Sequence, residues 1–320
     1  MPGGTTDGLA GHFIVRHGGR ARIVLAVVVA TTVAAKLLTQ PGQIVGYLGY
    51  VDPRDNLNAQ ECTWKDHFET PGKAKDHRPQ GMTYIEIDGK KRLVLAVSEN
   101  DQSGRFYVYE IKNGKLTLET KIPTPEDAVH TSGLDWDGTN LWAIDFKSHR
   151  IYKIDFRESL AEGSSVVTHS VDTGLTGSGS IALMPSWRNG YIAISDFRET
   201  GRTYLVPLAD AFVEKPVPEK AEYSYKNGYF VQGMMFDGTH LFETNNHLGS
   251  AMIYQIDPDK TVDAKDFRAG VVGIFAAPGF MVEDIATDGE TVWTTDERTF
   301  RLYSTPREAR KGSRFCRPRQ

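Results

Sequence analysis

The chain is poor in cysteine, with two in 320 residues. No His/Cys set has the spacing of a zinc site, which argues against a structural or catalytic transition metal. It also lacks an excess of either charge. Lys and Arg total 37 against 41 Asp and Glu, so there is no broad basic field and no basis for a nucleic-acid partner. A short basic cluster ends the chain (Arg307, Arg310, Lys311, Arg314, Arg317, Arg319) and reads as a solvated tail. No nucleophile elbow and no Ser/His/Asp order stands out, and the Gly/Ser-rich run from Gly174 to Ser180 precedes a strand, without the strand–loop–helix setting of a phosphate loop.

Long apolar runs are equally scarce, and the one candidate is at the start. Ile23 to Leu38 reads IVLAVVVATTVAAKLL behind Arg16, Arg20 and Arg22. Positive charge before an apolar core holds that end in the cytoplasm and sends the following chain across the membrane. A cleaved signal peptide with Val33-Ala34-Ala35 as its small-residue site is the rival. The long leader favours an uncleaved anchor, and the remainder is exported in either case. The organisation expected is a cytoplasmic segment 1–22, an anchor or signal 23–40, a linker 41–60, a repeat domain 61–306 and a basic tail 307–320.

What is present in quantity is a repeat. Gln80-Gly81-Met82, Ser132-Gly133-Leu134, Ser180-Ile181-Ala182, Gln232-Gly233-Met234 and Asp284-Ile285-Ala286 each open one. Successive spacings from Gly81 through Gly133, Ser180, Gly233 and Asp284 are 52, 47, 53 and 51 residues. Asp137-Gly138, Asp237-Gly238 and Asp288-Gly289 follow the first strand of three repeats, and Asp-Gly between apolar runs marks a tight hairpin. A third strand follows in every repeat: RFYVYEI, RIYKID, RTYLVPL, MIYQID and FRLYS. Four strands in about 50 residues leave no room for crossover helices and predict an all-β, five-bladed β-propeller. The insert near Ala209 to Lys220 reads as a surface excursion.

The fifth repeat lacks a fourth strand, and TWKDHFE from Thr63 can supply it, because a propeller must close or leave an edge unpaired. Cys62 and Cys316 flank that closure. An exported domain retains disulfides, and a bridge about 250 residues apart is worth roughly 5–6 kcal/mol in the chain-entropy model.

In this architecture the loop entering each first strand and the loop after each second strand open on one face. The second position holds Glu99, Asp145, Asp196, Asn245 and Asp296; the first holds His77 and Gln80, His130 and Ser132, Ser180, Gln232, and Glu283-Asp284. Two readings stay open. Each Asp or Asn can bond amides of its own turn, or the carboxylates can share a cation. Calcium, an oxygen-seeking ion, would suit Glu99, Asp145, Asp196, Asn245 and Asp296. Asp145, Asp196 and Glu283 are the catalytic candidates. Gln80, His130, Gln232 and Asn246 are the ligand-binding ones, Asn246 because Asn245-Asn246-His247 breaks the repeat pattern.

The DG turn, the L-W-x-x-D strand and R-I-Y-x-I-D resemble the gluconolactonase/strictosidine-synthase-like propellers and NHL-like binding propellers. The former resemblance implies a divalent cation in the channel and lactonase-like hydrolysis. Phe230-Val231-Gln232-Gly233-Met234, Leu241-Phe242-Glu243-Thr244 and Gly249-Ser250 resemble a blade of the plant and bacterial glutaminyl cyclases. That resemblance implies a place for Gln232 in a substrate pocket. The expected function is thus a membrane-tethered extracytoplasmic propeller binding a small ligand or divalent cation at its channel mouth. Lactonase-like hydrolase, glutaminyl cyclase and non-catalytic protein scaffold are the specific forms.

Overall fold

The computed structural model describes Asp55 and residues 59–70, 77–197, 201–228, 230–247, 250–279, 281–307 and 315–316. The expected anchor at 23–40 lies outside the described residues. Among them, no helix is long and apolar enough to cross a membrane.

The described residues form twenty strands in five four-stranded antiparallel sheets. Blade 1 is β2 (His77–Ile87), β3 (Lys90–Glu99), β4 (Ser103–Lys112) and β5 (Lys115–Pro123). Blade 2 is β6 (Thr131–Trp136), β7 (Leu141–Asp145), β8 (Arg150–Asp155) and β9 (Val166–Asp172). Blade 3 is β10 (Ser178–Met184), β11 (Tyr191–Asp196), β12 (Arg202–Pro207) and β13 (Tyr223–Lys226). Blade 4 is β14 (Val231–Phe236), β15 (Leu241–His247), β16 (Ser250–Ile256) and β17 (Val271–Ala276). Blade 5 is β18 (Val282–Thr287), β19 (Thr291–Asp296) and β20 (Arg301–Pro306), completed by β1 (Lys65–Glu69). The inner strands β2, β6, β10, β14 and β18 neighbour one another in that order, and β18 returns to β2.

Local chemistry explains the blades. At the three Asp-Gly turns the glycine takes φ near +90°, a region closed to side chains. The preceding aspartate carboxylate accepts the next two amides: Asp137 from Thr139 and Asn140, Asp237 from Thr239 and His240, Asp288 from Glu290 and Thr291. Short helices stand between the third and fourth strands of three blades. α1 (Phe156–Glu162) and α3 (Pro258–Ala264) are N-capped by Asp155 and Asp257, α2 (Val217–Lys220) follows Pro216, and α4 (Phe267–Gly270) is capped by Asp266.

The core is five apolar layers, one between each pair of adjacent blades. Val94, Phe106, Leu134 and Tyr152 pack between blades 1 and 2, and Trp142, Ile144, Ile181 and Ile192 between blades 2 and 3. Tyr191, Tyr225, Met234 and Tyr254 fill the next gap, followed by Met235, Phe242, Ile285 and Val292, then Met82, Leu93, Trp293 and Leu302.

The ring closes as the sequence predicts. β1 pairs with β20 from Lys65↔Ser304 to Glu69↔Arg301, with a bulge at His67 that sets its Nε2 2.7 Å from Ser304 Oγ. Cys62 and Cys316 form a disulfide with Cα atoms 5.6 Å apart, the kind of bond that persists in oxidising compartments. Two segments are more engaged than a linker and a solvated tail would be. Upstream of β1, Gln60 exchanges hydrogen bonds with Ile274 and Ala276 at the outer edge of blade 4 (2.8 and 3.0 Å), and Asp55 bonds Tyr254 Oη (2.8 Å) and Arg268. Downstream, Phe315 is buried against Phe242 and Phe275, ring centres 5.0 and 4.9 Å away, and Arg307 pairs with Asp237.

Candidate functional site at the channel mouth

Every inner strand slips its register at the same level. The irregularities fall at Gln80-Gly81, Ser132, Gly179, Gln232 and Glu283-Asp284. A bulge frees one residue from the ladder and re-aims its side chain. Each inner strand therefore offers one such position at the channel mouth. The small residues beside the bulges let the strands crowd together. A Cβ on Gly81 would lie 3.0 Å from the Gly133 backbone, and one on Gly133 would lie 2.9 Å from Ile181 N.

The five positions divide the mouth in two. Blades 4, 5 and 1 contribute Gln232, Glu283 and Gln80, three long polar side chains in one arc. Blades 2 and 3 contribute Ser132 and Gly179, and Ser132 Oγ is spent on Ser178 O at 2.9 Å. Gln80 is buried, with its Nε2 unpartnered among the described residues. Ser180, one residue beyond its bulge, is buried, with its hydroxyl unpartnered among the described residues.

Glu283 is the centre of the arc. Gln232 Nε2 donates to its Oε1 at 3.2 Å, and the negative charge of Glu297 acts on its carboxyl. Burial pushes its acidity far down, and the negative charges of Glu297, Asp296 and Asp284 push the same way, so the group holds its proton well above the usual carboxylate range. Glu297 is in turn paired with Arg78 at 3.0 Å. Arg78, Glu297, Met281, Arg298 and Phe300 line a cavity of about 310 Å³ between blades 5 and 1. The line of interacting groups runs Gln232, Glu283, Glu297, Arg78. Neither Glu297 nor Arg78 stood among the sequence candidates.

Asp284, beside this arc, is a staple. Its Oδ2 accepts the amides of Met82 (2.8 Å) and Leu134 (3.1 Å), and its Oδ1 that of Ile285 (2.9 Å), joining blade 5 to blades 1 and 2. Burial raises its pKa well above normal, against those bonds.

The residues after the second strands do different work. Asp145 is buried, with Oδ2 accepting His130 N (2.6 Å) and Oδ1 accepting Lys147 N and Ser148 N (2.9 and 2.8 Å). Asp296 repeats this with Met281 N and Thr299 N at 3.3 and 2.8 Å. Glu99 accepts from Arg105 and Ser103, both at 2.9 Å, with His77 Nδ1 at 3.6 Å. Asp196 accepts Asn227 Nδ2 through its main-chain carbonyl, and Asn245 is buried against Gly228, where a Cβ would meet its Nδ2. Asn246 keeps both side-chain amide atoms unpartnered among the described residues. Calcium wants six to eight oxygens, whereas the oxygens of Asp145, Asp296 and Glu99 are engaged as turn caps or ion pairs. Among the described residues no group of three or more His, Cys, Asp or Glu is placed to hold a metal.

His130 stands at the rim of blade 2, its Nδ1 2.6 Å from Asp101 Oδ1, and Lys147 pairs with the same carboxylate at 3.2 Å. Burial pushes the Asp101 carboxyl up, but His130 and Lys147 outweigh it and hold it at about 2. Beside it Phe146, Phe197 and Phe230 form a row with ring centres 5.7 and 4.9 Å apart.

No protein-family model and no curated protein matches this chain. Among solved structures, it is similar to Myxococcus xanthus glutaminyl cyclase, at 14% identity and a TM-score of 0.51, over 77% of this chain and 97% of that one. BamB from Moraxella catarrhalis matches at 8% identity and TM-score 0.35, over 70% of this chain and 58% of that one. A nidogen/laminin complex matches at 15% and 0.41, over 71% and 75%. The last two scores carry no argument. The first likeness is one of fold: this chain is a five-bladed propeller with a glutaminyl cyclase as a structural neighbour.

Proposed function

We propose that this is an exported propeller, tethered through the hydrophobic segment 23–40, whose channel mouth binds a small amine- or amide-bearing ligand and catalyses glutaminyl-cyclase-type proton transfer. The observation that carries this reading is the Gln232–Glu283 contact. It sets a proton-holding carboxyl under an amide at the mouth, backed by a second carboxylate and an arginine.

Cyclisation of an N-terminal glutamine forms a bond from the α-amine to the side-chain amide carbon and breaks the bond to its nitrogen, which leaves as ammonia. One proton must leave the attacking amine and one must reach the departing nitrogen. A carboxyl whose pKa is raised toward neutrality serves both transfers. In this scheme Glu283 gives its proton to the leaving nitrogen and recovers one from the former α-amine. Glu297, held by Arg78, keeps Glu283 protonated at the start, and Gln232 fixes its orientation. The Gln80 Nε2, unpartnered among the described residues, is a donor for the substrate carbonyl.

The lactonase-like alternative puts calcium on Glu99, Asp145, Asp196, Asn245 and Asp296, where the ion would share carboxylate oxygens with the amides and cations that already bond several of them. The test is direct. The full chain is incubated with a peptide bearing N-terminal glutamine, and ammonia release and the mass of the product are followed. Conversion is expected, reduced about 10²–10⁴-fold in Glu283→Gln. Absence of conversion, or an unaffected Glu283→Gln rate, overturns the assignment and leaves the binding-scaffold reading.

A further inference from the structure

The opposite face of the propeller holds a second pocket, at the far ends of the inner strands of blades 2, 3 and 4. It has a volume of about 720 Å³, within the range of small-molecule sites. Its walls are Trp136, Trp142, Phe212 and Phe236, with Asp135 and Lys153 among the polar groups. We propose that this pocket binds a small aromatic amine, its ring against Trp136 and Phe212 and its ammonium on Asp135.

Three features support a built site. The first is the insert of blade 3, which is more than a surface excursion. Lys220 buries its ammonium on the carbonyls of Ala211 (2.6 Å) and Val213 (3.2 Å), which pins the loop that carries Phe212. Phe212 is then set between Trp142 and His169, with ring centres 5.1 and 5.2 Å away. The aromatic wall is thus formed before any ligand arrives, which removes most of the ordering cost of binding.

The second is the charge. Lys153 lies 5.1 Å over the Trp142 ring and 3.5 Å from Asp137, so those two charges offset each other. Asp135 has no such cation among the described residues. Its oxygens accept the amides of Leu183 (2.6 Å) and Trp136 (2.7 Å), and the charge acting on it, Asp137, has its own sign. Charge complementarity therefore selects a cation over an anion.

The third is acidity. Burial, reinforced by Asp137 and opposed by the two amides, pushes the Asp135 carboxyl up to about 7. A bound ammonium would reverse that shift, so ligand and proton compete.

The probe is phenethylamine, titrated into the full chain while tryptophan fluorescence is read, with 3-phenylpropionate as the anionic counterpart. Saturable binding of the amine is expected, at least about tenfold tighter than the anion, and weakening about tenfold from pH 8 to pH 6 as Asp135 takes a proton. Binding should persist in Glu283→Gln, which separates this pocket from the channel mouth. It should fall at least about tenfold in Phe212→Ala and in Asp135→Asn, whose fold is checked by thermal melting. Because Asp135 also joins blades 2 and 3, Phe212→Ala on the surface insert decides the matter if Asp135→Asn does not fold. No saturable binding, equal affinity for the anion, or wild-type affinity in Phe212→Ala would overturn the proposal.

Discussion

Gln232 and Glu283 occupy the same bulge position in adjacent blades, and the Gln232 amide donates to the Glu283 carboxyl at 3.2 Å. A carboxyl so enclosed is held neutral, and replacing it with a neutral isostere removes chemistry without removing charge. Glu283→Gln should therefore keep or raise the melting temperature while losing ammonia release. A drop of many degrees would mean that Glu283 is structural.

Glu243, buried between blades 3 and 4, accepts from Tyr225 Oη at 2.9 Å, and burial pushes its pKa from 4.5 to about 7. The folded state binds this proton more tightly than the unfolded chain. Its stabilising effect is complete below about pH 4.5 and is lost as pH rises through about 7. Relative to Glu243→Gln, wild type should lose on the order of 3 kcal/mol between about pH 4.5 and pH 8. Urea titrations of both proteins at the two pH values measure the difference.

His67 carries the opposite sign. Burial, helped by Lys65 and opposed by Asp66, holds its pKa below 6.5, so its protonation favours the unfolded chain. Its contribution is present above about pH 6.5 and is lost as pH falls. The pH slope of the melting temperature between about pH 7 and pH 5 should be shallower in His67→Asn, which removes the titration at the seam.

Asp145 accepts three backbone amides. Asp145→Ala should cost about 1–3 kcal/mol, the penalty for orphaned donors, and the loss should be equal in EDTA and in calcium. A wild-type melting temperature that rises with calcium, while that of Asp145→Ala does not, would revive the cation reading.

Removing the disulfide should cost about 5–6 kcal/mol in the chain-entropy model. The figure applies to Cys62→Ser with Cys316→Ser, measured as the shift in urea midpoint. A change under about 1 kcal/mol would show that Phe315 and β1 close the ring unaided.

The repeat, the five blades and the closing strand were legible because they rest on local signals. Asp-Gly turns at 137, 237 and 288 need no tertiary context, and an unfilled fourth strand in the last repeat points to the other terminus. The N-caps Asp155 and Asp257 were equally local, but short helices inside a blade do not disturb the period and so went unread. The site was harder. Glu297 meets Arg78 across 219 residues of chain, a pairing that no spacing reveals. The bulges look like ordinary strand residues until the register slips. Asp145, Asp196 and Asp296 share a repeat position in sequence, yet that recurrence belongs, for Asp145 and Asp296, to the turn every blade must make.

The path of the chain just upstream of β1 has a mechanical consequence. Asp55 and Gln60 are fastened to blade 4, Cys62 is bonded to Cys316, and only then does the chain reach blade 5. Among the described residues, a pull from the N-terminal side is taken up first at Tyr254 and Arg268, next at the edge of blade 4 and then by a covalent bond. The strand that closes the ring lies behind all three, shielded from the load.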